Sequence, residues 1–245
     1  MAIDMNAVPR LSRVQVEEHA SRLLRVAEHQ LGVRLEPPID IELIADNHLR
    51  LQIVYEDLLS RYANPDLHGG LHIPEKRIVV EETLSPGRIN FTVGHEVGHW
   101  ILHRHLFQFT NSERGLLLGM EHAASAPRAD LLLCRTNDKA WGERQADWFA
   151  AALLMPAKSV KLAFDRNFSA PQTFSRDVLR PPRKGYLPDD RSREWDFLDE
   201  CWEVLNVVDK VLETGNFTNV SKKAVRVRLE TLNLIVPESS QARML

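Results

Sequence analysis

The sequence predicts an α+β fold, with a small antiparallel or mixed sheet packed on two helices and helical additions on the C-terminal side. Three observations predict it. Residues 86–106 and 139–154 carry apolar residues at helical spacing, interrupted by polar side chains that can bind a metal ion. Residues 69–81 have the pattern of two short strands around a turn, directly before the first of these helices. Apolar residues recur at helical spacing after residue 193.

The composition is that of a globular protein with room for one domain and additions. The 245 residues are 44% hydrophobic and 27% charged, and the net charge of −3 argues against a broad nucleic-acid-binding face. Two cysteines, Cys134 and Cys201, are too few for a disulfide framework and fit a reducing compartment. We find no secretory signal at the start and no apolar run near the ~20 residues that span a bilayer. We therefore expect a cytoplasmic protein without membrane contact.

The N-terminal segment predicts two helices and a strand. Residues 14–31 are amphipathic and end at Gly32. The predicted buried stripe of this helix consists of five apolar residues: Leu23, Leu24, Val26, Ala27 and Leu31. Asp40 is the expected N-cap of a short helix over residues 41–48. Residues 51–55 have strand character.

A β-hairpin and a long helix follow. Gly69 to Glu81 is typical of two strands joined by a tight turn. Ser85 is the expected cap of the next helix, and Pro86 suits its first turn. We expect this helix to continue to about residue 106, with an uncertainty of a few residues in its ends.

The remaining chain divides less clearly. Residues 107–138 are interpreted as a lid or binding loop beside the active site, with a strand over 131–134. A helix over 139–154 stops at Met155-Pro156, and another covers residues 156–164.

The C-terminal part predicts two more helices. Apolar residues at helical spacing indicate a packed helix over 193–214: Trp195, Leu198, Trp202, Leu205, Val208 and Leu212. Ser221 is the expected cap of a helix over 222–232. We predict three parts for the whole chain, which are a core over 1–166 that contains the two helices with metal-binding side chains, a Pro/Arg-rich insertion or linker over 167–192, and a helical region over 193–245 that packs on the core.

The motif H-E-x-x-H at residues 95–99 is the chemical centre of the sequence. On a helix His95 and His99 lie on one face and can offer two imidazole nitrogens to one metal ion. Glu96 is rotated about 100° from His95, so it can act on a water molecule without being a ligand. Buried histidines without a metal are the bland alternative, but the surrounding apolar residues would bury an unpaired polar cluster at a high energetic cost.

Three residues compete for the third ligand position. His105 has the spacing of proteases that break the helix at a glycine, but Leu102 stands there, so the helix should continue. His103 lies on the same face as the histidine pair but about 12 Å along the axis from His95, too far to share an ion. Glu143 is the better candidate, because a glutamate completes the His₂Glu set of catalytic zinc sites.

The helix that carries Glu143 has a packing face of small and apolar residues suited to a close helix–helix contact. Asp147 lies four residues after Glu143 on the same side. We expect the Asp147 carboxylate to accept the free ring N–H of a ligating histidine. The bland alternative is a solvated acidic face.

Two motif blocks, FTVGHEVGHWILH at 91–103 and ERQADWFAAALLMP at 143–156, resemble the ImmA/IrrE family of metallopeptidases. Segment 220–234 and the region upstream of the first block also resemble the family. The resemblance implies a thermolysin-like fold with one Zn²⁺ ion per chain, ligated by His95, His99 and Glu143, and Glu96 as the base.

The resemblance also implies a function. Members of the family often relieve transcriptional repression by cleaving a helix-turn-helix repressor, so we expect a zinc-dependent endopeptidase with such a protein as its substrate. The alternative is a non-catalytic zinc-binding antirepressor, or a toxin–antitoxin-like partner, that sequesters a regulator. Segments 107–138 and 168–216 depart from the family pattern and leave the substrate open. In this sequence we recognise no helix-turn-helix domain ahead of the peptidase part, unlike in fused members of the family.

The hairpin is the predicted substrate-binding element. Gly69, Gly70, Leu71 and His72 would form an exposed strand edge on which an extended peptide pairs through its backbone. The bland alternative is an ordinary sheet edge. Candidates for stabilising the oxyanion remain open: Tyr62, His68, His72, His103 and His122.

A third hypothesis makes residues 221–234 a DNA-recognition helix, because they include Lys222, Lys223, Arg226 and Arg228. The alternating valines and leucines favour docking onto the protein core instead. We therefore expect no direct nucleic-acid partner.

Overall fold

In a computed structural model of the chain, the described residues are 8–64, 67–108, 131–135, 140–175, 179 and 202–238. They divide into an N-terminal unit that ends at Pro156 and a C-terminal unit that begins at Ala157. The α+β class is confirmed, with a small mixed sheet and helices. The predicted three-part division stays a prediction.

The N-terminal unit contains six α-helices and four strands among the described residues. In chain order they are α1 (Arg13–Leu31), α2 (Ile41–Leu43, continued as a π-helical segment Ile44–His48), β1 (Gln52–Glu56), α3 (Leu58–Tyr62), β2 (Leu67–His72), β3 (Arg77–Glu81), α4 (Pro86–Leu102), α5 (Arg104–Gln108), β4 (Leu131–Arg135) and α6 (Trp141–Leu154).

The local signals of the first helices mostly act as predicted. Gly32 ends α1 in the left-handed conformation (φ 67°), where glycine carries no Cβ penalty. The Asp40 side chain accepts from the Leu43 N–H and caps α2. The predicted stripe of α1 is wrong at Val26, which is 42% exposed; Val16 and Ala20 are buried. The buried face of α1 extends further towards its N-terminus than predicted, and α1 packs on α6.

The sheet has the strand order β1–β3–β2–β4. β2 and β3 form the predicted hairpin, antiparallel with Gly70 opposite Val79. β1 pairs parallel with β3, and β4 pairs antiparallel with β2. Both hairpin strands are therefore interior, and the prediction that the hairpin offers a free edge is wrong. The partner that covers β2 comes from about 60 residues further along the chain.

Gly69 serves the packing of the sheet against α4. A Cβ at this position would lie 2.5 Å from Cγ2 of Thr92 and 2.8 Å from the carbonyl oxygen of Val79. The space beside Gly69 is therefore already filled by a side chain of α4.

Helix α4 is buried along most of its length and carries the H-E-x-x-H motif. Pro86 occupies the first turn as predicted, whereas the Ser85 side chain makes no capping hydrogen bond. The helix ends at Leu102, a few residues before the predicted end, and α5 follows after His103. Val93 and Val97 are fully buried, and burying each such side chain contributes about 1.5–3 kcal/mol.

Helices α4 and α6 pack closely because glycines of α4 face small residues of α6. A Cβ on Gly98 would lie 3.1 Å from Cα and 3.2 Å from the carbonyl oxygen of Ala146. A Cβ on Gly94 would lie 3.3 Å from Cβ of Ala150. The contact brings the polar side chains of the two helices within hydrogen-bonding reach.

The C-terminal unit contains α7 (Ala157–Asp165), β5 (Gln172–Phe174), α8 (Trp202–Thr214), α9 (Lys222–Thr231) and β6 (Ile235–Pro237). β5 and β6 pair in parallel. β5 falls inside the predicted 167–192 insertion, most of which lies outside the described residues.

Helix α8 buries a different face from the one predicted. Its buried residues are Val204, Val207, Val208 and Val211, whereas Trp202 is 72% exposed. Of the predicted stripe only Val208 is buried among the described residues. Both α7 and α9 contact α8. Trp195 and Leu198 lie outside the described residues.

Helix α9 is capped as predicted, since the Ser221 hydroxyl accepts from the Ala224 N–H. Arg226 and Arg228 are buried. Arg226 Nε donates to Glu230 Oε1 at 2.9 Å, and Lys222 Nζ donates to Asp209 of α8 at 2.9 Å. Half of the basic residues on this helix thus point inward.

Residues 109–130 and 136–139, which contain most of the predicted lid, lie outside the described residues, as does the tail after 238. The strand predicted over 131–134 is confirmed as β4. None of the described helices is long and apolar enough to cross a membrane.

Replacing Gly98 with alanine should lower the free energy of unfolding by about 1–3 kcal/mol, as overpacking a core usually does. The new Cβ would press on the backbone of Ala146, which cannot rotate away as a side chain does. The higher helix propensity of alanine offsets at most about 1 kcal/mol of this loss. Urea denaturation followed by circular dichroism gives the difference.

Gly94→Ala is the matched control, because its Cβ would meet Ala150 at the looser 3.3–3.4 Å. We expect a smaller loss of stability for this variant. Equal stability of the Gly98→Ala variant and the unmodified protein would show that the close approach of α4 and α6 is no constraint on the fold.

Candidate metal centre

Three side chains from α4 and α6 converge on one point. Nε2 of His95 lies 3.0 Å from Nε2 of His99. Glu143 Oε2 lies 3.2 Å from Nε2 of His95, and Glu143 Oε1 lies 3.3 Å from Nε2 of His99. These are the ligand atoms that the sequence predicted to meet, and together they form the group of described residues able to hold a metal ion.

The mutual distances suit a small tetrahedrally coordinated cation. Ligand atoms at about 2.0–2.1 Å from zinc lie about 3.3 Å from one another in a tetrahedron, close to the observed 3.0–3.3 Å. Two imidazole nitrogens and one carboxylate leave a fourth position open, as catalytic zinc sites require. The donor set therefore fits zinc.

The surroundings of the group favour an anionic Glu143 and a neutral His99. Burial alone would raise the pKa of Glu143, but His99 and His95 outweigh it and hold that pKa well below its usual range. Burial lowers the pKa of His99, although Glu143 opposes the shift. A neutral imidazole and an ionised carboxylate are the protonation states that bind a metal ion.

Glu96 lies beside this group with both carboxylate oxygens buried and without a hydrogen-bond partner among the described residues. Burial raises its pKa to about 8; the charge of His95 lowers it and that of Glu143 raises it further. A buried carboxyl group without a partner is energetically costly. A carboxyl group in this environment is able to bind a water molecule or a substrate.

Asp147 occupies the position predicted for it. Its Oδ1 lies 3.0 Å from Nδ1 of His95, on the far side of the ring from the three ligand atoms. The carboxylate can therefore accept the Nδ1 proton and leave Nε2 free to bind a metal.

His99 has a different partner, which the sequence analysis missed. Its Nδ1 lies 3.0 Å from Nδ1 of His103, and Nε2 of His103 lies 3.1 Å from Oε1 of Gln145. Burial, with the charge of His99 as the next cause, lowers the pKa of His103 to about 3. The signal was available: His103 follows His99 by four residues, and this spacing places the two rings together on a helix.

The other candidates do not join the group. His105 is exposed on α5. Gly69, Gly70, Leu71 and His72 are buried in β2, and Nδ1 of His72 accepts from the Glu75 N–H at 3.1 Å. Their role in substrate binding stays a prediction, without the free edge that motivated it.

One of the candidates for stabilising the oxyanion, His103, can be excluded. Both ring nitrogens of His103 are engaged by His99 and Gln145, which leaves none for an oxyanion. His122 lies outside the described residues.

Comparison with known proteins identifies the domain. Residues 49–117 match the family model of the M78 peptidases, described as an IrrE N-terminal-like domain. The match contains β1 to α4 and so includes His95, Glu96 and His99. The search of curated proteins found no match. Over these residues the chain is similar to the M78 peptidase family.

Proposed function

We propose that the protein is a zinc-dependent endopeptidase in which His95, His99 and Glu143 hold the ion and Glu96 is the general base. One observation carries the proposal: a buried carboxyl group without a partner among the described residues stands beside a three-ligand group. A site that only bound zinc for stability would need no such carboxyl. We also propose that the fold around this site is thermolysin-like.

Zinc in this site would supply Lewis acidity that activates water and polarises the scissile carbonyl. Glu96 moves the proton: its carboxylate accepts it from the attacking water and gives it to the leaving amine. Its raised pKa, about 8 without a cation, would fall towards neutrality beside positive charge. That range lets one carboxyl both accept and donate a proton.

The sheet offers a place for an extended peptide. β1 and β4 are the outer strands of the described sheet, and β4 contacts α4, which carries both histidines. A peptide that pairs with the outer edge of β4 would run past the metal group, with backbone hydrogen bonds supplying sequence-independent affinity. This edge replaces the hairpin as the proposed substrate-binding element.

The proposed substrate is a helix-turn-helix repressor or a similar regulatory protein, as the family resemblance implies. Direct DNA binding is not part of the proposal. Arg226 and Arg228 are buried and Lys222 is paired with Asp209, so α9 presents little of the exposed positive charge that DNA binding uses.

The purified protein should bind one zinc ion per chain, and removing the metal with a chelator should lower the melting temperature. A ligand that binds only the folded state stabilises it by about 2.7 kcal/mol at a hundred times its Kd. Calorimetric titration and thermal unfolding of the same sample measure both effects.

His95→Ala should abolish zinc binding, whereas His29→Ala should bind zinc normally, because His29 is an exposed histidine of α1. Zinc binding by the His95→Ala variant with undiminished affinity would show that the ion binds elsewhere.

Glu96→Gln should retain zinc binding and lose about 10²–10⁴-fold in peptidase activity, the usual contribution of a general base. The side chain keeps its size but cannot take a proton from water. The assay is incubation of the zinc-loaded protein with helix-turn-helix repressors of the same organism, followed by mass spectrometry of the fragments.

The same variant separates cleavage from sequestration. If Glu96→Gln relieves repression in a reporter strain as well as the unmodified protein does, the protein acts by binding its regulator and the endopeptidase proposal is wrong.

A further inference from the structure

The two proposed metal-binding histidines have different hydrogen-bond partners at Nδ1. A histidine that binds a metal through Nε2 carries its proton on Nδ1, and that N–H needs an acceptor. His95 has the Asp147 carboxylate at 3.0 Å. His99 has another imidazole, His103, at the same distance. An imidazole is an acceptor in only one of its two neutral tautomers, so something must hold His103 in that form.

A chain of hydrogen bonds behind His103 does so. Gln145 Nε2 donates to the carbonyl oxygen of Pro9 at 2.7 Å. A carbonyl can only accept, so the amide nitrogen of Gln145 must face Pro9 and its Oε1 must face His103. Nε2 of His103 lies 3.1 Å from this oxygen and must donate to it.

The direction of the remaining bond follows. With its single proton on Nε2, the neutral His103 ring presents a lone pair at Nδ1. That lone pair accepts from Nδ1 of His99, which leaves the lone pair of His99 Nε2 facing His95 and Glu143. The protons are thus ordered from the backbone carbonyl of Pro9 to the metal group.

Burial makes this order strict. His99 and Gln145 are fully buried and His103 is 1% exposed. Reversing one bond of the chain would place two N–H groups or two lone pairs against each other away from water.

We propose that His103 and Gln145 are positioning residues, which hold His99 in the Nδ1–H tautomer and direct its Nε2 towards the metal position. This series of hydrogen bonds ends at the carbonyl oxygen of Pro9, in the segment before α1. The position of Pro9 is therefore coupled to the orientation of His99. The inference rests on the proposed metal group but not on peptide cleavage.

His103→Leu and His103→Asn form a matched pair. Leucine keeps bulk but offers no acceptor. The Oδ1 atom of asparagine is attached to Cγ as Nδ1 of histidine is, so it can accept from His99. We expect about 10–100-fold weaker zinc binding for His103→Leu, the usual effect of losing such a partner. His103→Asn should recover most of the affinity, and Gln145→Leu should show a smaller loss.

Zinc affinity is measured by competition with a chromophoric chelator at fixed pH. Long-range ¹H–¹⁵N spectra of the zinc-free protein give the tautomer of His99, which should shift from Nδ1–H towards Nε2–H in His103→Leu. Val97→Ala controls for general loss of stability, because Val97 is a buried apolar residue of the same helix and takes no part in the hydrogen bonds from Pro9 to His99. Its zinc affinity should stay at the level of the unmodified protein.

Three results would overturn the proposal: unchanged zinc affinity in His103→Leu, equal weakening in His103→Asn, or equal weakening in a Val97→Ala variant of the same stability. If the unmodified protein binds zinc but cleaves no protein, the endopeptidase proposal is wrong and the positioning role stands. If it binds no zinc, both are wrong.

Discussion

The close contact between α4 and α6 is the constraint on which the candidate metal centre depends. His95, His99 and His103 belong to α4 or its end, and Glu143, Gln145 and Asp147 belong to α6. The contacts that Glu143, Gln145 and Asp147 make with the histidines therefore cross from one segment to the other, including that of the short Asp147 side chain. Gly94 and Gly98 allow the crossing, because their missing side chains let the backbone of α6 approach α4. The small residues at the contact between α4 and α6 therefore set the distances between the polar side chains of the two helices.

Burial gives this cluster its chemical character. Polar groups away from water are stable only when they are paired, and His95, His99, His103 and Glu143 all have partners within the group. Glu96 differs, since its oxygens have no hydrogen-bond partner in the described part of the chain. The fold thus tolerates one unsatisfied carboxyl where the proposed mechanism needs a base, and functional sites are where such local costs are expected.

Local signals in the sequence were sufficient for most helices and for the hairpin. Gly32, Asp40 and Ser221 end or begin helices through contacts within a few residues. The edge of the sheet was not predictable in this way. β4 pairs with β2 from a distant part of the chain, and Thr92 fills the space beside Gly69. The sequence pattern of β2 does not indicate either contact. The buried valine face of α8 likewise differs from the predicted one, and this helix packs against α7 and α9.

The site itself was largely predictable, because ligand spacing on a helix is a local property. The distance of His103 from His95 along the helix excludes it as a ligand, and its separation of four residues from His99 places the two rings together. A neutral partner at this position has an electrostatic consequence. In the proposed zinc site the charges of Glu143 and Asp147 already balance a divalent cation, and Glu96 adds negative charge when ionised. A further carboxylate behind His99 would make the site more electron-rich and weaken the Lewis acidity on which water activation depends. A neutral chain ending at a backbone carbonyl orients His99 without that penalty.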